Sequence, residues 1–353
     1  MKKVILLSLL PFTAMAASTS IKGIVETYQN WDLICDNTGT CNMAGYQEEK
    51  DGSEHSVSIL FTRSAGEQAP VTAQLALLPD ELGNKTAEII LNGQSLGAIQ
   101  NISEEGIAKL SEKQTTELLT ALKGNASIEV IFGEFKEKVS DKGAAAAMLK
   151  MDEFQQRLNT PSALIRQGQE KHAVLAPQAA QKIEAVSVKK RQTTELKRGE
   201  KQFDAVLALL RKRNGTNEDA ENYCYELHKD DVWNKQITLY PLTKGKVLAE
   251  AICSSSAYNY TNYYAVLDEK LSKVEQVLEN QYNYADYDKD THVLKVGGEF
   301  KARGLGDCWH GQEAVWNGKT FIRTEEHTTG SCKGFGGGAW GSLPTFVSEL
   351  KVK

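Results

Sequence analysis

Short runs in which apolar and polar residues alternate recur along most of the chain, and a period of two predicts strands. Trp31–Cys35 and Cys41–Tyr46 flank the turn-rich Asp36-Asn37-Thr38-Gly39-Thr40, which predicts a hairpin. Further runs at Ser56–Arg63, Val71–Leu78, Ala87–Leu91, Gln94–Ile99 and 127–132 are separated by breakers at Ser64-Ala65-Gly66, Pro79-Asp80 and Asn92-Gly93. Two stretches follow a helical period instead. Ser111 and Gln114 form a capping-box pattern ahead of Leu118, Leu119 and Leu122, with Gly124 as the stop. Ser140 is expected to open a second helix along the stripe Ala144, Ala147, Met148, Met151, Phe154 and Leu158, closed by Pro161.

Beyond residue 166 the pattern changes. Residues 167–213 are rich in Gln, Lys, Arg and Ala and show no strand period; 182–213 carry ten basic and four acidic residues. Phe203, Val206, Leu207 and Leu210 make one short helical stripe, so the stretch reads as a basic, partly helical connector with a solvated charged face. Alternation then returns at 231–240, 246–253, 259–267, 273–279, 292–296, 313–316 and 319–323, with Asn317-Gly318 as a hairpin turn. The expected fold is α+β, mainly antiparallel β. It comprises an N-terminal α+β domain at 17–166, the connector at 167–213 and a C-terminal β-rich domain at 214–353.

Lys2 and Lys3, an apolar run over 4–12 and Ala14-Met15-Ala16 read as a signal peptide spanning 1–16, cleaved near Ala16. The apolar run falls far short of the ~20 residues a bilayer needs, and no later stretch is long enough, so the mature chain is expected without a membrane span. Export to the periplasm or beyond makes the six cysteines disulfide candidates, and proximity favours Cys35–Cys41, Cys224–Cys253 and Cys308–Cys332. Both domains would then be stapled. Losing two lysines with the leader leaves 39 basic against 46 acidic residues, a net charge of −7, which argues against nucleic acid as a partner.

Candidate chemistry is sparse, and no cofactor is expected. Asp286, Asp288 and Asp290 alternate like the start of a calcium loop, but Thr291 and Gly297 stand where Gly and Glu are required. Asp307, His310 and Glu313, with Glu326-His327 downstream, supply acid/base residue types near the expected Cys308–Cys332 staple. His-Glu-x-x-His and Gly-x-Ser-x-Gly are absent. The glycine-rich run at 334–341 lacks the strand–helix context of a phosphate loop and reads as a loop or tight crossing. Ten of the twelve tyrosines lie beyond residue 221. Tyr258, Tyr260 and Tyr264, with Tyr282 and Tyr284, are expected to form a face for a sugar or peptide, because tyrosine joins flat apolar area to a polar tip.

Four motifs resemble one family. Trp31–Cys41 reads WDLICDNTGTC, residues 151–157 read MDEFQQR, 303–308 read RGLGDC and 330–334 read GSCKG. Together they are similar to an uncharacterised family of exported bacterial proteins, domain of unknown function number 1176. Trp309 departs from the glycine expected after Asp307-Cys308. The N-terminal half is also loosely similar to the invasion-associated locus B proteins. The resemblance implies an envelope location and a two-part architecture; it brings no activity, cofactor or catalytic residue. The expectation is therefore a non-catalytic binding or structural module whose partner is an envelope protein or glycan. The alternative is a hydrolase or transferase acting on an envelope polymer through Asp307, His310 and Glu313.

Overall fold

The computed structural model describes residues 21–48, 56–78, 86–220, 223–230, 234–278 and 281–353. The stretch read as a leader lies outside them. In the first half, β1 (Ile24–Tyr28), β2 (Trp31–Cys35), β3 (Cys41–Tyr46), β4 (Ser56–Arg63), β5 (Val71–Leu78), β6 (Ala87–Leu91), β7 (Gln94–Ile99) and β8 (Ile107–Lys109) precede α1 (Glu112–Ala121). Then come β9 (Ile128–Phe132), β10 (Phe135–Val139) and α2 (Ala144–Phe154). The strands form one sheet in the order β1-β2-β3-β4-β5-β8 and another in the order β10-β9-β6-β7. Leu33, Met43, Ile59, Phe61 and Leu75 of the first sheet share a core with Ile89 and Val130 of the second and with Leu118 and Met148 of the helices.

The predicted first hairpin forms. Cys35 pairs with Cys41 across β2 and β3, their Cα atoms are 4.0 Å apart, and their disulfide closes the turn. Asp36 shapes that turn by accepting hydrogen bonds from the backbone N–H groups of Thr38 and Thr40. The capping box of Ser111 and Gln114 also forms at the head of α1. The second helix differs from expectation at both ends. Its start moves to Ala144, because the Ser140 hydroxyl instead accepts from the Asn30 side chain at 3.1 Å and the Lys142 N–H at 3.3 Å. It stops at Phe154, short of Pro161. Buried Gln155 and Arg157 turn the chain there and bond the carbonyls of Arg63, which ends β4, and of Gly66 in the loop after it.

The second half contains β11 (Gln181–Ala185), β12 (Thr194–Lys197), α3 (Lys201–Asn214), α4 (Tyr225–His228), β13 (Gln236–Pro241), β14 (Lys246–Ser255), β15 (Tyr260–Asp268) and β16 (Val274–Val277). It ends with β17 (Tyr284–Tyr287), β18 (Leu294–Lys301), β19 (Trp309–Trp316), β20 (Phe321–Thr328) and β21 (Leu343–Val352). One sheet runs β12-β13-β14-β15-β16 and the other β11-β21-β20-β19-β18-β17. Of the described pairings only β11 with β21 is parallel, so the fold is mainly antiparallel β with a few helices. No described helix is long and apolar enough to cross a membrane.

These elements stack as helices, sheet and sheet. Alternation along β15 sends Tyr263, Ala265 and Leu267 towards α3 and α4, and Tyr264 and Val266 towards the other sheet, where Leu294, Val296 and Trp316 meet them. The expected stripe Phe203, Val206, Leu207 and Leu210 is the buried face of α3. The connector is not strand-free as expected. Gln181–Ala185 buries only Ile183 and Ala185, and Thr194–Lys197 only Leu196, so each strand offers too few apolar positions for a visible period.

The two halves share a core. The face of the first sheet that points away from α1 and α2 carries Ile34, Ala44, Tyr46, Leu60 and Ala76. Phe335, Ala339, Trp340 and Leu343, from the glycine-rich run and the start of β21, cover it. Both faces of β2 and β3 are therefore buried. Gly330 explains the close approach: its φ is +86°, and a Cβ there would lie 2.1 Å from the Tyr46 hydroxyl. The third disulfide, Cys308–Cys332, anchors the start of this covering segment, and Cys224–Cys253 lies in the core beneath α3 and α4.

Candidate functional site

Toward one end of the stacked sheets lies a cavity of about 370 Å³. Its lining comes from β13, β14, β15 and β17, and includes Tyr240, Glu250, Tyr260, Asn262 and Tyr284. Register explains the grouping: Glu250 pairs with Thr238 on one side and Tyr264 on the other, and two residues along β15 towards the sheet end Asn262 follows Tyr264 on the same face. A bulge between Ile252 and Ser254 shifts the strands before Tyr260, which stands exposed at the mouth. Opposite it, Tyr284 lies across Gly297; a Cβ at that glycine would meet the phenol oxygen at 2.0 Å.

Glu250 holds the base of the cleft. Its Oε2 accepts hydrogen bonds from the Tyr264 hydroxyl at 2.7 Å and the Tyr240 hydroxyl at 3.3 Å. Burial nonetheless pushes its carboxyl above the ordinary glutamate value, outweighing those two bonds. The same burial, with the Glu250 charge beside them, raises Tyr240 and Tyr264 far beyond any physiological titration, so both remain donors. Burial also lifts Tyr284 to about 12. Among the described residues that line the cleft, Glu250 is the only one with a carboxylate, and none carries a positive charge.

The tyrosines expected to share one face do not. Tyr264 and Tyr282 are 0 % and 6 % exposed and pack edge to face, with centroids 6.3 Å apart, inside the core between the sheets. Alternation placed Tyr264 on the correct side of β15, but that side is covered by the second sheet. Tyr260 and Tyr284 are exposed and line the cleft; Tyr258 is exposed beside Gly304, outside the lining. Glu250 escaped the sequence reading because a glutamate in an alternating strand reads as solvent-facing.

Asp307, His310 and Glu313 are not brought together. Asp307 is buried and occupied: both its oxygens face Arg303, and it accepts from the Gly334 N–H at 2.7 Å. The Arg303 bonds hold its carboxyl below the usual range. His310 and Glu313 lie three residues apart on β19, so their side chains leave opposite faces. His310 stacks on Phe300 at 5.4 Å, and burial lowers its pKa. Glu313 lies 3.4 Å from Lys295. On the face of Glu313, His327 sits between Glu325 at 3.2 Å and Glu299 at 3.4 Å, and the Glu325 contact foremost raises its pKa.

The three aspartates do not converge either. Asp288 accepts from the Asp290 and Thr291 N–H groups within its own turn, while Asp286 accepts from the Tyr287 N–H. Among the described residues the one group with metal-ligand proximity is Asp307, Cys308 and Cys332, and its two sulfurs are spent in the disulfide.

Comparison with curated proteins finds no match, and comparison with solved structures finds none. The looser likeness of the N-terminal half to the invasion-associated locus B proteins is not shown. A family model does match, across residues 25–347, and covers both halves and all six cysteines. The chain belongs to this family, described as Protein of unknown function (DUF1176).

Proposed function

We propose that this is a non-catalytic binding module of the cell envelope, exported through the leader at 1–16, that holds a glycan in the cleft around Glu250. One observation carries the reading: a cavity of about 370 Å³ with tyrosine walls and a single carboxylate. Its volume lies in the range of small-ligand sites. Tyrosine rings offer flat area for the apolar face of a sugar ring, while Asn262 and Thr238 offer polar groups for its hydroxyls. Hydrolysis of a glycosidic bond ordinarily needs a second carboxylate across the bond, and the described lining supplies none. The alternative through Asp307, His310 and Glu313 loses its geometric support, because one group is tied to Arg303 and the other two face apart. Three disulfides fit an oxidising compartment. The test is a glycan array probed with the disulfide-bonded chain and with Tyr260→Ala and Tyr284→Ala. Both positions are exposed, so the variants should fold and lose the bound glycans. Undiminished binding by both variants would remove the cleft from the function.

A further inference from the structure

We infer that the glycan received in this cleft carries free amino sugars, with a protonated primary amine seated against Glu250. The inference rests on the cleft-binding reading above and names the ligand's chemistry.

The charge of the site points there. Both tyrosine hydroxyls bond Oε2 of Glu250, and among the described residues Oε1 accepts no hydrogen bond. Among the described residues no lysine, arginine or histidine lines the cavity. A second carboxylate outside the lining, Asp286, acts on Tyr240 in the same sense as Glu250 does. A carboxylate withdrawn from water without a cationic partner is costly, and an incoming ammonium offsets that cost through a charge-assisted hydrogen bond. The walls agree. Tyr240, Tyr260 and Tyr284 line the same cavity, and aromatic rings attract alkylammonium groups.

A lysine side chain would satisfy the same charge, but the remaining polar groups favour a sugar. The Asn262 carbonyl oxygen, the Thr238 hydroxyl and the Gln236 amide carry no hydrogen bond among the described residues and line the same cavity. A lysine tail has no hydroxyls for them to meet. An N-acetylated sugar keeps the hydroxyls but loses the charge.

Isothermal titration of the full disulfide-bonded chain decides the matter, with three probes: a glucosamine tetrasaccharide, its N-acetylated counterpart and a tetralysine peptide. The free-amine sugar should bind about tenfold more tightly than the acetylated one. Glu250→Gln, close in shape, should erase that preference without abolishing sugar binding, and Tyr260→Ala should weaken both sugars. Equal binding of the two sugars, or preference for the acetylated one, overturns the inference and leaves the glycan cleft standing. Tetralysine binding as tightly as the free-amine sugar overturns the sugar assignment. If neither sugar binds, the inference and the glycan reading fall together.

Discussion

The carboxylate of Asp32 accepts hydrogen bonds from both the backbone N–H and the hydroxyl of Ser331, at 2.7 and 2.8 Å, across 299 positions of sequence. Asp32 is 2 % exposed and accepts a third bond from the Thr27 hydroxyl at 2.8 Å. Ser331→Ala removes one bond to a charged group and should cost about 1.5–3 kcal/mol. Asp32→Ala strands all three donors and should cost about 3–5 kcal/mol. Urea unfolding midpoints read both, with Asp32→Ala the more damaging.

Trp340 is the largest side chain of the covering segment. It is 5 % exposed and donates its indole N–H to Ser58 at 3.0 Å. Trp340→Ala should cost about 3–5 kcal/mol. Because the lost ring uncovers part of the face carrying Ile34, Tyr46 and Leu60, binding of an apolar dye should rise with it.

The Cys308–Cys332 bond closes a sequence separation of 24 at the root of that segment. Replacing both cysteines with serine should lower stability by about 3.5 kcal/mol on the chain-entropy account. Peptide mapping without reduction should recover three cross-links, each joining neighbouring cysteines. A link between the N-terminal pair and any later cysteine would contradict the fold.

Glu250 makes stability depend on pH in a definite direction. Its folded-state carboxyl lies above the unfolded value, so folding favours the protonated form. That contribution is full below the unfolded pKa and is lost as pH rises through the raised folded pKa. Tyr240 and Tyr264 face the group and stay neutral throughout. Relative to Glu250→Gln, the native chain should therefore lose stability between mildly acidic and neutral pH. Paired thermal melts across that window give the difference; a flat difference would contradict the burial of Glu250.

Local rules of the chain were legible wherever neighbours in sequence are neighbours in space. The Cys35–Cys41 hairpin and the Ser111–Gln114 cap formed as read because each depends on residues a few positions apart. What failed depends on distant partners. Ser140 carries the signature of a helix cap, but Asn30 takes its hydroxyl. Tyr264 alternates as a surface residue would, until a second sheet covers it. The strand Leu343–Val352 escaped notice because most of its positions are half-buried and give no contrast between faces. The cleft was half legible: two of its tyrosines stood out, while Glu250 had no pattern to betray it.

The covering segment also fixes an order of events. A chain made from its N-terminus presents the first sheet early, yet the residues that roof it, Phe335 to Leu343, come late. Until then Ile34, Tyr46 and Leu60 lack their cover, and closing so distant a contact is slow. A nascent chain cut short before residue 335 should thus stick to holding chaperones, whereas the finished one should release them.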